Sequence, residues 1–151
     1  MSDIIIYTDG ACSGNPGAGG WGVVIIKNAD IEKFNGYEKD TTNNRMELMA
    51  AIQGIAKQKV GSKIILYTDS KYVKDGISSW VINWKKNDWL TSTKKPVKNK
   101  DLWERLDMLC ENYQMVWKWV RAHQEDLSEE TMYNNMADEL ARDGIKKWKD
   151  S

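Results

Sequence analysis

The spacing of apolar positions changes along the chain, and each spacing predicts a type of secondary structure. Short runs rich in apolar and β-branched residues predict strands at Asp3–Thr8, Trp21–Lys27, Ile31–Glu38, Lys63–Thr68 and Gln114–Val120. A period of roughly 3.6 residues predicts helices from Asn43, in short pieces through Trp80–Lys86, from about Asp101 to Asn112 and from about Asn134 to Lys147. Strands and helices therefore alternate as they do in α/β proteins.

The connections between these elements predict how the strands pair. The first three strands follow one another over short connections, which favours antiparallel pairing. We expect the first strand to end at the turn Asp9-Gly10, and Ser13–Gly20 to form a flexible loop. A helix with Thr42 or Asn43 as its N-cap precedes Lys63–Thr68, so a right-handed crossover should place that strand parallel to the first.

Length and composition indicate one domain without a membrane segment. The 151 residues, of which 41% are apolar, suffice for one core and are too few for two, so we predict a single domain over residues 1–151. No apolar run approaches the roughly 20 residues that cross a bilayer, and we expect a soluble cytoplasmic protein. Cys12 and Cys110 lack the CxxC spacing of a zinc site and are expected to be free thiols.

Positive charge is concentrated in one segment although the whole chain is neutral. The sequence has 22 basic and 22 acidic side chains. Between Trp84 and Lys100 six lysines accompany one acid, Asp88, which makes this segment +5 and the remainder −5. The lysines are Lys85, Lys86, Lys94, Lys95, Lys98 and Lys100. Such a local excess is typical of a surface that binds nucleic acid, whereas the overall charge alone would argue against one.

Two predicted strands run out at the same dipeptide, Thr-Asp. Thr8-Asp9 follows the first strand, and Thr68-Asp69 follows the strand Lys63–Thr68. If these strands are parallel neighbours, both carboxylates lie at the sheet edge where open α/β proteins bind ligands. An aspartate before glycine or serine is also ordinary turn chemistry. Its repetition on two strands favours the functional interpretation.

Two helical acids are candidates to join these aspartates. Glu47 lies in the first turn of its helix beside small residues and would point toward the strand ends, and Asp138 lies beside Ala137 and Ala141. Stabilisation of the helix dipole is the alternative interpretation of Glu47. Adjacent carboxylates would repel one another unless hard divalent cations neutralised them. Two such ions can activate a water and stabilise the leaving oxygen in a displacement at phosphorus, which indicates phosphodiester hydrolysis.

His123 is the only histidine of the chain. A metal-free ribonuclease that uses two histidines as acid and base is therefore hard to build. In a polar loop before Asp138, His123 is interpreted as a proton shuttle, and the alternative is a plain surface histidine.

Five motifs follow one another in the chain in a recognisable order. They are Tyr7-Thr8-Asp9-Gly10, Gly14-Asn15-Pro16-Gly17, Thr41-Thr42-Asn43-Asn44-Arg45-Met46-Glu47-Leu48, Thr68-Asp69-Ser70 and Ala137-Asp138-Glu139-Leu140-Ala141. With them the chain resembles the type 1 ribonucleases H, in the bacterial form with a basic protrusion, over nearly its whole length. The resemblance implies a five-stranded mixed sheet, three antiparallel strands and then two parallel ones, with helices on both faces.

The resemblance also implies an activity and a set of metal ligands. Family members are endonucleases that cut the RNA strand of RNA·DNA hybrids, leave 5′-phosphate and 3′-hydroxyl ends, and remove RNA primers. We expect the same here, from a monomer without an obligate protein partner. The ligands of Mg²⁺, with two ions during catalysis and Mn²⁺ able to replace them, would be Asp9, Glu47, Asp69 and Asp138. By the same resemblance His123 is a flexible-loop histidine that helps the product to leave.

Further residues match positions where the family contacts its substrate. Those at the minor groove are Cys12, Asn15 and Asn43, and those that hold a DNA-strand phosphate are Thr42, Asn43 and Arg45. An enzyme that selects RNA must sense 2′-hydroxyl groups, which the wide minor groove of an A-like duplex displays.

The basic protrusion, at about residues 80–100, would add its own contacts. Its matching residues are Trp80, Trp84, Lys85, Lys86, Trp89, Lys94, Lys95 and Lys98. Lysines there would neutralise phosphates, so affinity should fall steeply with salt. The alternative for the tryptophans is that they simply pack on one another.

Two segments depart from the family pattern. The loop predicted at residues 124–135 is longer than in bacterial relatives and lacks their glycine and second histidine. It carries the acids Glu125, Asp126, Glu129 and Glu130, which could alter metal affinity and make the role of His123 less secure. Lys71 stands where a glutamine is common and adds positive charge beside Asp69.

Two other functions stay open at this point. One is a junction resolvase or integrase-like nuclease of the same fold, against which the minor-groove residues and the Trp/Lys protrusion argue. The other is a non-catalytic hybrid-binding module, against which the presence of all four acids argues.

Overall fold

A five-stranded sheet forms the centre of the protein, in the order β3-β2-β1-β4-β5. A computed structural model describes residues 3–150. Its strands are β1 (Ile4–Ser13), β2 (Gly17–Lys27), β3 (Asp30–Thr41), β4 (Lys63–Thr68) and β5 (Gln114–Trp119). The first three pair in antiparallel fashion, whereas β4 lies parallel to both β1 and β5. The predicted mixed sheet is therefore confirmed.

Five α-helices accompany the sheet within residues 3–150. They are α1 (Asn43–Ala56), α2 (Lys71–Asp75), α3 (Val81–Lys86), α4 (Lys100–Cys110) and α5 (Glu129–Lys149), with a π-helical turn at Gly76–Trp80 between α2 and α3. None of these helices has the length and apolar character needed to cross a membrane. The prediction of one domain over residues 1–151 stays a prediction, and Met1, Ser2 and Ser151 lie outside the described residues.

The helices lie on both faces of the sheet, as predicted. Successive side chains of a strand point to opposite faces. Ile6 accordingly belongs to the larger core cluster with Ile52 of α1, whereas the next residue, Tyr7, packs with Ala137 of α5. The first strand is apolar without alternation because both of its faces are buried. The amphipathic helices α1 and α5 each cover one of these faces.

The first hairpin differs from its prediction. β1 does not end at Asp9-Gly10 but continues to Ser13, and β2 begins at Gly17, so most of the predicted loop Ser13–Gly20 is strand. Gly20 and Gly22 of β2 serve the packing of α5 rather than loop flexibility. A Cβ atom on Gly20 or Gly22 would collide with backbone carbonyl oxygens of α5. Without side chains at these positions, the helix approaches the sheet closely.

The closing helix also begins earlier than predicted, at Glu129 instead of near Asn134. Its N-cap is Ser128, whose hydroxyl oxygen accepts a hydrogen bond from the N–H of Thr131 at 3.2 Å. Glu129 and Glu130 occupy the first turn, where negative charge is favourable. The segment 124–135, predicted to be a loop, is therefore helical over its second half.

Candidate metal centre and nucleic-acid interface

Three carboxylates meet at the carboxyl edge of the parallel strands. Oxygen atoms of Asp9, Glu47 and Asp69 all lie within 4.8 Å of one another. The register explains the two aspartates, because Thr8 and Thr68 are the last paired residues of β1 and β4. Asp9 and Asp69 are the next residues of their chains and emerge side by side. The repeated Thr-Asp dipeptide thus occurs where the strands bring both acids together.

Glu47 reaches this group because α1 crosses β1 at close range. Thr42 caps the helix, with its hydroxyl oxygen accepting from the N–H of Arg45 at 3.3 Å. The crossing point is Gly10, where a Cβ atom would collide with the backbone nitrogen of Glu47. Any side chain at Gly10 would push the first turn of α1 away. The side chain of Glu47 therefore reaches the group from the face of the sheet that α1 covers.

The electrostatics of the three acids favour bound cations. Burial raises the pKa of Asp9, and the neighbouring charges of Glu47 and Asp69 raise it further. Burial also raises the pKa of Glu47, followed by the charge of Asp69. Glu47 Oε1 is a buried oxygen without a hydrogen-bond partner. An all-oxygen set with surplus negative charge and an unpaired buried oxygen fits a hard divalent cation such as Mg²⁺.

Asp138, the fourth predicted ligand, lines the same cleft. This cleft has a volume of about 440 Å³ and is also bordered by Asp9, Glu47, Asp69 and His123. Asp138 is not one of the three acids whose oxygens lie within 4.8 Å of one another. Asp138 Oδ2 forms an ion pair with Arg142 Nη2, one turn later on α5, at a distance of 3.1 Å. Its participation in metal binding stays a prediction.

His123 is exposed on the loop between β5 and α5 and borders the cleft. Its φ of 54° is in the left-handed region, which few non-glycine residues adopt. None of the additional acids Glu125, Asp126, Glu129 and Glu130 lines this cleft. Asp126 instead accepts from the backbone N–H and the hydroxyl of Ser128. Three of the four acids, Asp126, Glu129 and Glu130, thus stabilise the start of α5.

Lys71, two residues after Asp69, makes an aromatic contact. Its Nζ atom lies 4.9 Å from the ring centroid of Trp119, a cation–π distance. The indole N–H of Trp119 in turn donates to the backbone oxygen of Asp69 at 3.0 Å. The positive charge expected near Asp69 is therefore oriented by Trp119.

The residues predicted to contact the minor groove gather at one rim of the cleft. Cys12 and Asn43 line it. Asn15 joins them, because its Oδ1 accepts from the backbone N–H of Asn43 at 3.1 Å. The thiol of Cys12 donates to the backbone oxygen of Thr41 at 3.4 Å. The turn after β1 and the start of α1 are thus tied into one surface.

Arg45 has a contact that the sequence did not indicate. Its guanidinium donates to both carboxylate oxygens of Asp101, at 3.0 and 2.8 Å, and to Asn99 Oδ1 at 3.3 Å. The hydrogen bond from Arg45 lowers the pKa of Asp101. A phosphate at this position would have to share the guanidinium with a resident carboxylate.

The tryptophans of the protrusion pack on one another, which was the alternative interpretation. The ring centroid of Trp84 lies 6.0 Å from that of Trp80, 6.1 Å from that of Trp89 and 5.5 Å from that of Trp103. Trp80 still exposes 37% of its surface. This aromatic cluster anchors the protrusion to α4, and Trp84 and Trp89 are also only partly buried, so some aromatic surface stays accessible.

The lysines of the protrusion fall into two groups. Lys85 forms ion pairs with Asp107 at 3.1 Å and Glu111 at 3.7 Å, both on α4. Within residues 3–150 no ion pair is formed by the other four predicted lysines, which are exposed. They are Lys86, Lys94, Lys95 and Lys98. The surplus positive charge of the protrusion therefore lies mainly on these four.

One buried residue next to the acids was missed. Asn134 is 2% exposed, and its Nδ2 donates to Asp69 Oδ2 at 3.3 Å. It precedes Asp138 by one helical turn on α5. The sequence shows an asparagine one helical turn before a candidate ligand, but its burial and its contact with Asp69 depend on how α5 packs on the sheet.

Comparisons with known proteins agree with this geometry. A family model described as RNase H matches residues 1–146. The "Ribonuclease H" of Maricaulis maris is 53% identical over 146 residues, covering 96% of this chain and 95% of the relative. That of Francisella philomiragia is 50% identical over 144 residues, covering 95% and 91%.

Solved structures show the same arrangement of elements. LC9-RNase H1, described as a type 1 RNase H with the type 2 active-site motif, superposes with a TM-score of 0.80 at 27% identity, over 97% of this chain and 74% of that one. LC11-RNase H1, solved in complex with an RNA/DNA hybrid, superposes with a TM-score of 0.72 at 24% identity, over 96% of this chain and 98% of that one.

Proposed function

The chain belongs to the ribonuclease H family, and from that premise we propose that it hydrolyses the RNA strand of RNA·DNA hybrids as an endonuclease. The observation that carries this proposal is the group of Asp9, Glu47 and Asp69, whose oxygens lie within 4.8 Å of one another in an open cleft. A group of acids this close favours bound cations, and cations held by carboxylates are suited to reactions of phosphodiesters.

We assign the cation as Mg²⁺, two ions during turnover, with Mn²⁺ able to replace it. Asp9, Glu47 and Asp69 would hold the ions, and Asp138 would complete the set from α5. Bound in this way, the ions would supply an activated water and neutralise the charge of the leaving 3′ oxygen, so that the products carry 5′-phosphate and 3′-hydroxyl ends. The ion pair of Asp138 with Arg142 is exposed on the arginine side, so Asp138 can exchange this partner for a ligand.

His123 is suited to move a proton at the rim of the cleft. It is exposed and borders the acidic group without belonging to it. We assign it to proton transfer during departure of the product.

The surface on either side of the acids would select and hold the hybrid. Cys12, Asn15 and Asn43 form one rim, where they would read 2′-hydroxyl groups in the minor groove. Thr42 and Arg45, at the start of α1, would hold a phosphate of the DNA strand. The exposed lysines of the protrusion would neutralise further phosphates, which predicts salt-dependent affinity.

We place this activity in the cytoplasm, in the removal of RNA primers and other hybrids, and carried out by a single chain. Francisella and Maricaulis relatives named ribonuclease H match this chain over 91% and 95% of their own lengths. A catalytic unit of this size fits that task.

A cleavage assay on a hybrid labelled in its RNA strand tests the proposal. We expect cleavage with Mg²⁺ and none in EDTA. Asp9→Asn should abolish cleavage while hybrid binding persists, because the fold and the substrate surface remain. Asp30→Asn, at an exposed position at the start of β3, is the matched control and should leave the rate unchanged.

Three results would contradict the proposal in different ways. Substantial cleavage by Asp9→Asn would remove the acidic group from the mechanism. Binding of the hybrid without cleavage after addition of Mg²⁺ would indicate a binding module. Preference for a four-way junction over the hybrid would indicate a resolvase of the same fold.

A further inference from the structure

Asn134 lies in an unusual position for a neutral polar side chain. It is 2% exposed, and its amide nitrogen donates to Asp69 Oδ2 at 3.3 Å. Its amide oxygen, Oδ1, is buried and has no hydrogen-bond partner among residues 3–150. Buried acceptors are nearly always paired, so an unpaired one calls for a physical reason.

The orientation of the amide follows from its contact with Asp69. If the amide were rotated by 180°, its oxygen would face Asp69 Oδ2, and two acceptors would repel each other. The contact with Asp69 therefore selects the orientation in which Nδ2 donates. In this orientation Oδ1 has no hydrogen-bond partner among the described residues.

The second buried oxygen of interest is Glu47 Oε1, which also lacks a partner. Glu47 and Asp69 belong to the same group of acids, and Asn134 contacts that group through Asp69. Two unpaired buried oxygens around one acidic group indicate that both acquire partners when the group is filled.

We propose that Asn134 is a positioning residue for the metal centre. Its N–H holds one oxygen of Asp69 in place, and its Oδ1 accepts a hydrogen bond from a water of the bound ion. Being neutral, it does both without adding to a negative charge that already raises the pKa values of Asp9 and Glu47. This inference rests on the proposed function, because it concerns the same metal site.

The position of Asn134 on α5 makes this support rigid. α5 packs tightly on β2. At Gly22 the strand lies so close to the backbone of Ala137 that a Cβ atom would collide with it. Asp138 follows one turn later on the same helix. A single rigid element would thus carry both a candidate ligand and the residue that orients another one.

Calorimetric titration of the protein with Mg²⁺, without nucleic acid, tests the inference. We expect Asn134→Ala and Asn134→Leu to weaken Mg²⁺ binding by about 10- to 100-fold, the usual effect of removing a partner of a metal ligand. Their thermal stability in EDTA should stay close to that of the wild type, because loss of the hydrogen bond to Asp69 is offset by removal of the unpaired buried oxygen. A purely structural asparagine would instead lower that stability.

The matched control is Asn135→Ala. Asn135 is the next residue, is exposed, and donates to the backbone oxygen of Gln124 instead of to an acid. This variant should bind Mg²⁺ like the wild type. In the cleavage assay the Asn134 variants should need more Mg²⁺ for half-maximal rate, with an unchanged KM for the hybrid at saturating Mg²⁺.

Each outcome decides between the alternatives. Wild-type affinity for Mg²⁺ in either Asn134 variant, or loss of the fold in both variants in EDTA, would overturn the positioning role. If the wild type itself failed to bind Mg²⁺ or to cleave the hybrid, the proposed function would fail instead.

Discussion

Two neighbouring lysines of α3 should respond differently to replacement by alanine. Lys85 contacts two acids of α4, Asp107 at 3.1 Å and Glu111 at 3.7 Å. Lys86 forms no ion pair within the described part of the chain. We therefore predict that Lys86 neutralises a phosphate of the bound hybrid, whereas Lys85 mainly attaches the protrusion to α4.

The size of the effect follows from counterion release. Each neutralised phosphate contributes about 0.9 to the slope of log affinity against log salt concentration. Lys86→Ala should flatten the slope by about 0.9. When the salt concentration rises fourfold, the affinity of the wild type should therefore fall by a factor about 3.5 times larger than that of the variant. Lys85→Ala should leave the slope unchanged and lower the melting temperature, because Asp107, with 17% of its side chain exposed, loses its cation.

The measurement is hybrid binding in EDTA at several salt concentrations, together with thermal unfolding of each variant without nucleic acid. Cleavage is suppressed in EDTA, so the affinities are equilibrium values. An equal flattening of the slope by both variants would refute the division of the lysines, since it would show that the ion pairs of Lys85 open when the hybrid binds.

Three further predictions concern the acids, Arg45 and the approach of α5. In EDTA no cation neutralises Asp9, and its pKa is raised in the folded state. Protonated Asp9 therefore contributes to stability at low pH, and this contribution is lost progressively as pH rises above the ordinary value of 3.8. Asp9→Asn should therefore gain stability over the wild type by up to about 1.4 kcal/mol per pH unit, measured by urea unfolding from pH 5 to pH 8, and a constant difference would contradict it. Asp101→Asn should tighten hybrid binding by up to about fivefold, since an exposed ion pair is worth at most about 1 kcal/mol; weaker binding would show that Asp101 is needed to hold Arg45. Gly22→Ala should lower the free energy of unfolding by about 1 to 3 kcal/mol and reduce cleavage, because its Cβ would collide with the backbone of α5; wild-type stability in a urea titration would show that the helix can move away.

Several elements were predictable because their signals are local. Lys63–Thr68 is a strand with the predicted bounds, and Thr42 caps α1 as expected. Both depend on a few consecutive residues, a run of β-branched side chains in one case and a hydroxyl before a helical period in the other. The carboxylate pair was predictable for a related reason. Once β1 and β4 are adjacent and parallel, Thr8 pairs with Thr68, and the aspartates that follow them lie side by side.

The errors at the first hairpin and at α5 have a common origin. Glycines in β2 read as loop residues, because glycine is rare in strands unless another backbone comes close. At Gly20 that backbone belongs to α5, whose residue Ala141 lies far away in sequence. The early start of α5 was missed because its first turn is polar and carries no apolar period.

What the sequence determined by itself was the set of elements, the uneven distribution of charge and the aspartates at the strand ends, since each is encoded over a few neighbouring residues. Only the tertiary structure decided the partners of individual side chains. Arg45 meets Asp101 across 56 positions, and Asn134 meets Asp69 across 65. Such contacts depend on how helices pack across the sheet, and no local pattern records that.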